Sequence, residues 1–379
     1  MPGLRAEFQS NRLINAEWYA EGVSNSFRCR WSRAAGTLFV FLLMVLVSRC
    51  GALQADLEPP KFEPTFTLGQ FAPGASIRMV AYGDSRFTDP SVTQGTNPRV
   101  RKWLAERIAL EHPSVLLLTG DTPYTGAKDD DWAAFRSETT AWRENEILVL
   151  PTTGNHEIHG GYKPGIENYL KNFPAIHGYR HYSALLGNVE VVALDCTVGG
   201  DASSDQAEWF AAQLSHLPTQ VQFLLILYHI PWVADKQSQI FVNLPSKDAL
   251  VLRNILEAHL PTIHAKVMVF NGHIHNYERF ERRGVEYVVT GGGGAQPYPL
   301  LFRGRGDLYR DTGFPVYHYL TLDVTDRKLH AVMWKVVDPD APMLTVEAKD
   351  EFTLTAPGRK GFQAKPTAQK RPDTAQPPQ

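Results

Sequence analysis

Short runs of apolar residues recur along the chain, and segments with helical spacing of apolar positions lie between several of them. Short runs that are apolar on both faces predict strands of a sheet that is covered on both sides. The predicted strands are Ile77–Tyr82, Val115–Thr119, Ile147–Pro151, Val189–Leu194, Phe223–Tyr228 and Val267–Phe270. The predicted helices are Val100–His112, Trp132–Asn145, Gln206–Leu217 and Asp248–His259. This alternation predicts an α/β fold, which Tyr317–Val324 and Lys328–Val337 close as an antiparallel pair.

Polar residues follow most of these runs directly. Open α/β sheets place their binding sites beyond the carboxyl ends of strands, so we expect these side chains to lie close together. They comprise two carboxylates, a phenol, an amide and several imidazoles: Asp84, Asp121, Tyr124, Asn155, His156, His229, His273 and His275. The remaining histidines, such as His159, stand outside this pattern, and we expect surface or structural positions for them.

His273 and His275 are separated by a single residue just after Val267–Phe270. In an extended segment two such side chains point to the same side, because the side-chain period of a strand is two. Paired imidazoles occur in ordinary polar loops, but two in one small volume are typical of a metal site. The whole donor set contains oxygen and nitrogen but no thiolate, which suits Fe, Mn or Zn. Six or seven such ligands are enough for two ions that share a bridging carboxylate.

Five short motifs appear in the order found in calcineurin-like metallophosphoesterases, and the segment from Ile77 to Thr290 resembles that superfamily. The motifs are Gly83-Asp84, Gly120-Asp121, Gly154-Asn155-His156-Glu157, His229 and Gly272-His273-Ile274-His275. Three longer stretches are similar to the purple acid phosphatase branch: Gly120-Asp121-Thr122-Pro123-Tyr124, His229-Ile230-Pro231-Trp232 and His273-Ile274-His275-Asn276-Tyr277-Glu278-Arg279. The resemblance implies a two-sheet β-sandwich flanked by helices, with the site at the carboxyl ends of the strands.

The same resemblance implies a role for each site residue. One ion would be held by Asp84, Tyr124 and His275, and the second by Asn155, His229 and His273, while Asp121 would bridge both. The ions would be iron with zinc, manganese or a second iron. His156 would face the substrate and protonate the leaving oxygen, with Glu157 available to orient it. Gly291–Gly294 either presents backbone amides to an anion or lets chain segments approach closely.

Arg86 departs from the family pattern. The wider superfamily usually has a histidine at this position of the first motif, and the purple acid phosphatase branch usually has glycine. Arginine cannot bind a cation as a ligand, which strengthens the case for Tyr124. Its planar guanidinium suits a phosphate oxygen, so we expect Arg86 to hold a phosphate or to pair with a carboxylate behind the metal ligands. If it points into the metal pocket, it would weaken binding of the first ion.

These features predict a metal-dependent hydrolase of small-molecule phosphomonoesters that resembles the acid phosphatases. One alternative is a phosphodiesterase or nucleotidase that uses the same site. Another is a metal- or phosphate-binding protein that has lost catalysis through its altered first motif. The formal net charge of −2 gives no sign of the strongly basic surface that nucleic-acid-binding proteins have. The sequence does not define the oligomeric state.

The first 55 residues have the layout of a secretory signal, with arginines at 28, 30 and 33, an uncharged apolar stretch over 34–48, and small residues after it. This predicts a periplasmic or secreted protein. The alternative is a membrane anchor formed by residues 34–48, although that run is short for a span. We expect a linker or edge strand over residues 56–74, the catalytic domain over 75–345, and a disordered tail over 355–379. Cys196 is the only cysteine after residue 55, so no internal disulfide is expected there.

Overall fold

A computed structural model of the chain describes residues 65–68, 70–199, 201–242 and 245–358, all of which lie in one compact unit. The predicted targeting segment, 1–55, and residues 359–379 of the predicted tail lie outside the described residues. In the described ranges, no helix has both the length and the apolar character needed to cross a bilayer.

The described residues form two β-sheets flanked by helices. The seven strands of the first sheet are, in spatial order, β1 (Thr65–Thr67), β5 (Tyr182–Leu186), β6 (Val189–Ala193), β7 (Phe223–Leu227), β8 (Lys266–Asn271), β10 (Val285–Thr290) and β9 (Tyr277–Arg282). The six strands of the second sheet are β13 (Val346–Thr355), β12 (Lys328–Val336), β11 (His318–Val324), β2 (Ile77–Tyr82), β3 (Val115–Leu118) and β4 (Leu148–Pro151). The helices are α1 (Pro98–Ala109), α2 (Asp129–Glu138), α3 (Thr140–Glu144), α4 (Tyr162–Asn172), α5 (Asp205–Ser215), α6 (Lys236–Val242) and α7 (Lys247–His259).

The two sheets pack face to face over an apolar core. Residues such as Leu117 of the second sheet and Met268 of the first belong to one buried cluster. A second cluster covers the outer face of the first sheet, where Phe210 of α5 and Leu252 of α7 pack on Ile226. Each fully buried side chain of this size contributes about 2 kcal/mol to folding. The predicted α/β architecture with two sheets is therefore confirmed.

Several elements differ from the sequence prediction. The expected helix over Trp132–Asn145 is divided at Thr139, whose hydroxyl donates to the carbonyl of Phe135. This bond between a threonine and the carbonyl four residues earlier competes with continued helix formation. β1 lies within the predicted linker, 56–74, and agrees with its edge-strand alternative. β13 lies beyond the predicted domain end at residue 345, so the sheet extends further along the chain.

The arrangement of the strands creates one shared edge. β2, β3 and β4 are parallel neighbours in the second sheet, and β7 and β8 are parallel neighbours in the first. The carboxyl ends of parallel strands lie at the same side of a sheet, so the loops that follow these strands are brought together.

Candidate metal centre

The candidate site is built from the loops that follow β2, β3, β4, β7 and β8. Asp84, Asp121 and His273 lie in these loops with positive φ angles of 55°, 53° and 67°. Residues other than glycine rarely adopt such angles, so the surrounding contacts must hold these turns. Backbone strain of this kind is concentrated at functional sites, where it aims side chains that a relaxed loop would direct elsewhere.

Glycines allow the loops to approach one another closely. A Cβ atom at Gly120 would lie 2.8 Å from Nδ1 of His229, and one at Gly272 would lie 2.4 Å from Oδ2 of Asp84. A larger residue at either position would therefore displace a side chain of the site. This explains why glycine directly precedes Asp121 and His273 in the sequence motifs.

Four side chains converge on a small volume at the centre of the site. Nε2 of His229 lies 3.1 Å from Oδ1 of Asn155 and 3.3 Å from Oδ1 of Asp121. Nδ1 of His273 lies 3.0 Å from the same Asn155 oxygen and 3.2 Å from Nε2 of His229. These are the residues that the sequence resemblance assigns to the second ion, together with the bridging aspartate.

The hydrogen-bonding state of His229 suits a bound cation. Nδ1 of His229 lies 2.8 Å from the carbonyl oxygen of Thr119, so Nδ1 carries the ring hydrogen. Burial lowers the pKa of His229, which keeps the ring neutral. Its Nε2 therefore directs a lone pair at the oxygens of Asn155 and Asp121, which are acceptors as well. Buried acceptors in mutual contact are unfavourable without a donor or cation, so this donor set fits an ion such as Fe, Mn or Zn.

The residues assigned to the first ion have fewer contacts with one another than those assigned to the second ion. Nε2 of His275 lies 3.5 Å from Oδ1 of Asp84 and is buried, with no hydrogen-bond partner among the described residues. Nδ1 of the same ring lies 2.7 Å from the carbonyl oxygen of Gln296, which leaves Nε2 as an acceptor. Ligand atoms of Asp84, Asp121 and His229 lie within 4.8 Å of one another. A positive charge near Asp84 and His275 would satisfy both.

Tyr124 is at the edge of this arrangement. Its ring lies 5.7 Å from the ring of His156, and its hydroxyl lies beside Gly95, where a Cβ atom would come within 3.4 Å of it. Within the described ranges, no hydrogen bond joins this hydroxyl to Asp84 or Asp121. Tyr124 as a ligand of the first ion stays a prediction from the resemblance.

Arg86 points into the site. Its Nη2 donates to Oδ2 of Asp121 at 3.2 Å, and the carboxylate of Asp121 is fully buried. Arg86 thus pairs with the aspartate that is expected to bridge the ions, and not with a carboxylate behind the ligands. This agrees with the alternative in which Arg86 points into the metal pocket.

His156 lies beside the acceptor cluster without joining it. Its Nδ1 donates to the carbonyl oxygen of Tyr124 at 2.5 Å, which directs Nε2 to a point 3.9 Å from Oδ2 of Asp121. The Tyr124 carbonyl thus orients this ring, a role that the sequence analysis expected for Glu157. One nitrogen of His156 is left available to a substrate.

Glu157 holds the loops of the site instead. Its carboxylate is fully buried and accepts hydrogen bonds from the backbone N–H groups of Gly154, Asp121 and Thr122 at 2.7, 3.0 and 2.9 Å. These donors belong to the loops that follow β3 and β4. Glu157 therefore fixes the separation between Asp121 and Asn155.

His159 has the surface position expected for it, but it also lies next to the site. Its ring lies 4.0 Å from the ring of His156. The segment His156–Ile158 forms a single 3₁₀ turn, and side chains three residues apart eclipse in that geometry. The three-residue spacing within a short turn is the signal that could have identified it.

The charged groups of the site perturb one another strongly. Burial and the neighbouring Asp121 carboxylate raise the pKa of Asp84 well above its ordinary value. Burial would also raise the pKa of Asp121, but the surrounding imidazoles and Arg86 hold it well below its usual range. Burial lowers the pKa of His156 to about 4 and that of His273 to about 3. The histidines are therefore neutral, which is the state that binds metal.

Gly291–Gly294 supports the site by close packing. A Cβ atom at Gly291 would lie 2.2 Å from the carbonyl oxygen of Ile274, and one at Gly293 would lie 2.2 Å from that of Gly83. The structure thus favours the close-approach interpretation of these glycines. Tyr298, a little further along the chain, stacks on His275 with ring centroids 4.3 Å apart.

The model of the calcineurin-like phosphoesterase family matches residues 82–277. This segment is more than half of the chain and contains every residue of the donor cluster. The chain belongs to the calcineurin-like phosphoesterase family. Family membership accounts for the order of the five motifs and for their position at strand ends.

The curated relatives of this calcineurin-like phosphoesterase include plant purple acid phosphatases. It is 28% identical over 181 residues to purple acid phosphatase 22 of Arabidopsis thaliana, a match that covers 44% of this chain and 39% of the relative. It is 25% identical over 188 residues to purple acid phosphatase 1 of Ipomoea batatas, covering 44% of this chain and 37% of the relative. The match thus spans about two fifths of the length of these relatives.

Solved structures share the fold of this calcineurin-like phosphoesterase. A purple acid phosphatase from seeds of yellow lupin (Lupinus luteus) superposes with a TM-score of 0.57 at 18% identity, covering 76% of this chain and 55% of that chain. A dimetal phosphatase from Danio rerio superposes with a TM-score of 0.50 at 13% identity, covering 74% of this chain and 99% of that chain. At this level of identity the likeness concerns the fold alone.

Proposed function

We propose that this chain is a metal-dependent phosphoric ester hydrolase that acts on small-molecule phosphomonoesters, as its similarity to purple acid phosphatases suggests. One observation carries the proposal. Oδ1 of Asn155, Nε2 of His229 and Nδ1 of His273 lie within 3.2 Å of one another, and Asp121 Oδ1 lies 3.3 Å from the His229 nitrogen. A metal ion is the group that such a set of oxygen and nitrogen donors would bind.

The metal would be held by Asp121, Asn155, His229 and His273, with Asp84 within reach. When bound, it supplies Lewis acidity, which neutralises charge on a phosphoryl oxygen and makes a nearby water more acidic. Most catalysis of phosphoryl transfer comes from such electrostatic stabilisation and from positioning. No side chain is required to act as a nucleophile.

The side chains around the metal position would bind the substrate and complete proton transfer. Arg86 places its guanidinium beside Asp121, where it would attract the phosphate group and hold it in one orientation. His156 is oriented by the Tyr124 carbonyl. Its Nε2, which has no hydrogen in the neutral ring, would first take a proton from the attacking water and then give it to the leaving oxygen. Glu157 would act indirectly, by keeping the loops of Asp121 and Asn155 at a fixed separation.

The test is hydrolysis of p-nitrophenyl phosphate by the purified chain after loading with Mn²⁺, Zn²⁺ or iron. Activity should require the metal, and Asn155→Ala should lower both metal affinity and kcat/KM by at least about 100-fold. His216→Ala, at an exposed histidine of α5's carboxyl end, is the matched control and should leave both quantities unchanged. Absence of hydrolysis by a folded, metal-loaded sample would favour a non-catalytic binding protein.

The substrate class is tested with matched model compounds. We expect p-nitrophenyl phosphate to be hydrolysed faster than bis(p-nitrophenyl) phosphate, because a terminal phosphate offers more oxygens to Arg86. The reverse order would assign the chain to the phosphodiesterases. His156→Ala should slow the hydrolysis of an alkyl phosphate more than that of p-nitrophenyl phosphate, because a poor leaving group depends more on protonation.

Export is the cellular setting that the sequence of residues 1–55 supports. The basic residues, the apolar stretch at 34–48 and the small residues after it together favour a cleaved signal. We expect the amino terminus of the mature protein, determined by terminal sequencing, to lie shortly after residue 48. A mature protein that keeps residues 34–48 and partitions with membranes would instead establish an anchor.

A further inference from the structure

Arg86 brings a permanent positive charge into the half of the site that the family resemblance assigns to the first ion. Its side chain is 14% exposed, and its Nη2 lies 3.2 Å from the fully buried Asp121 carboxylate. Arginine remains protonated at any working pH. We propose that the Arg86 guanidinium takes the place of the first ion, so that the chain binds one metal ion. This inference rests on the proposed function, because it concerns the metal content of the same site.

The two oxygens of Asp121 are divided between different partners. Oδ1 accepts a hydrogen bond from the backbone N–H of His156 at 2.8 Å and lies 3.3 Å from Nε2 of His229. Oδ2 is bound by Arg86. A carboxylate that bridges two ions through both of its oxygens gives one oxygen to each ion. In this chain the oxygen that would face the first ion is paired with a guanidinium.

The other groups on this side of the site also suit the Arg86 guanidinium in place of a metal ion. Arg86 Nε is a buried donor and His275 Nε2 a buried acceptor, and neither has a hydrogen-bond partner among the residues that the structure describes. Oδ1 of Asp84 lies 3.5 Å from this His275 nitrogen. The guanidinium supplies the positive charge that Asp84 and Asp121 require. Its unpaired N–H is left for an oxygen of water or of a phosphate group.

The backbone of Arg86 has a conformation that would suit glycine. Its φ angle is 51°, in the left-handed region that favours glycine. The conformation is fixed from both sides, because its N–H donates to the carbonyl of Asp121 at 3.0 Å and its carbonyl accepts from Arg101 at 3.1 Å. Glycine would relieve the strain here, yet the chain carries arginine.

The experiment compares the metal content of the wild-type chain and Arg86→Gly after dialysis against Mn²⁺ or Zn²⁺. We expect about one ion per chain in the wild type and about two in Arg86→Gly, with a spin-coupled dimanganese EPR signal only in the variant. Arg86→Gly should fold, because glycine suits the local backbone. Arg86→Lys keeps the charge and should stay at one ion.

Arg283→Gly is the matched control. Arg283 has nearly the same φ angle, 52°, but its side chain is 61% exposed and pairs with Glu257 outside the site. It should bind one ion, like the wild type. In the Arg86→Gly background, a further His275→Ala change should return the content from two ions to one.

The outcomes separate this inference from the function on which it rests. Two ions in the wild type, or a single ion in a folded Arg86→Gly variant, would overturn the inference and leave a metal-dependent hydrolase. A folded wild-type chain without any tightly bound ion would overturn both.

Discussion

Glu157 shows how a single buried carboxylate organises the candidate site. Its carboxylate accepts hydrogen bonds from three backbone N–H groups and contacts no ligand atom of the metal centre. Glu157 therefore acts by fixing the geometry of the two loops that carry Asp121 and Asn155. A buried carboxylate with this many donors is replaced poorly by any other side chain. The position of the ligands thus depends on a residue that touches neither metal nor substrate.

Glu157→Gln should destabilise the fold and weaken metal binding together. The amide keeps one acceptor but turns an NH₂ group towards a backbone N–H, which leaves a buried donor unpaired at a cost of about 2 kcal/mol. Metal affinity should fall about 10- to 100-fold. Denaturant unfolding and metal titration measure the two effects, with Glu144→Gln as an exposed control on α3. Wild-type values for Glu157→Gln in both measurements would contradict the loop-holding role.

His318 should make the stability of the fold depend on pH. The ring is fully buried between Val316 and Thr290, and burial lowers its pKa to about 4. Between pH 6.5 and 4 the unfolded chain binds a proton that the folded chain does not. The free energy of unfolding should therefore fall as the pH decreases through this range, by at most about 1.4 kcal/mol per pH unit from this residue.

His318→Gln tests this contribution by comparison with the wild type, because other buried histidines titrate in both proteins. The variant should show a shallower loss of stability between pH 6.5 and 4 in denaturant unfolding. His216→Gln, at an exposed position, should keep the wild-type slope. An unchanged slope in His318→Gln would show that this ring is not kept neutral by the fold.

At the scale of elements, the site depends on how each strand ends. The turns after β2, β3 and β8 combine glycine with a residue at positive φ, which changes the direction of the chain within two or three residues of the strand. This brings the loops of both sheets close enough for Asp84 and His229 to belong to one ligand cluster. The glycines are therefore as much a part of the site as the ligands that follow them.

Gly272→Ala should reduce metal binding without unfolding the protein. The new Cβ would lie 2.4 Å from Oδ2 of Asp84 and 2.9 Å from the carbonyl oxygen of Thr119, and the backbone oxygen has little freedom to move. We expect metal affinity to fall at least about 10-fold in a calorimetric titration. Gly199→Ala is the control, because nothing lies within 4 Å of its Cβ position. Equal affinities in the two variants would contradict the close packing of these loops.

The success of the sequence prediction also varies between elements for a physical reason. β2 has the predicted bounds, Ile77–Tyr82, because a central strand that is apolar on both faces gives an unambiguous signal. β13 was not predicted, since it lies at a sheet edge and its residues include Glu347, Lys349, Asp350 and Glu351. The polar residues at the strand ends predicted which side chains lie close together. They did not predict which oxygen of Asp121 faces Arg86. That detail depends on the packing of several loops.

At the scale of the whole molecule, the two sheets are tied together at one pair of edges. Arg279 of β9 lies at the edge of the first sheet, and Asp350 of β13 at the edge of the second. Nε of Arg279 donates to Asp350 at 2.6 Å, while Nη1 binds Glu286 at 2.8 Å. The guanidinium also lies 4.3 Å from the ring of Phe352. Arg279, the last residue of the motif His273–Arg279, therefore has a structural role, because it links the two sheets.

Arg279→Ala should destabilise the protein by about 3–5 kcal/mol, because it leaves two largely buried carboxylates unpaired. Arg282→Ala, on the same strand, removes an ion pair whose arginine is 45% exposed and should cost at most about 1 kcal/mol. Denaturant unfolding measures both, and the metal content of Arg279→Ala should equal that of the wild type. Similar stabilities for the two variants would show that the sheets do not depend on this contact.

The metal centre is tested most directly by locating bound metal, from anomalous scattering, in crystals of the protein grown with Mn²⁺ or Zn²⁺. We expect a peak about 2 Å from Asn155 Oδ1, His229 Nε2, His273 Nδ1 and Asp121 Oδ1. A peak elsewhere, or no peak at these atoms in a metal-loaded crystal, would contradict the central claim that the loops after the five strands form a metal centre.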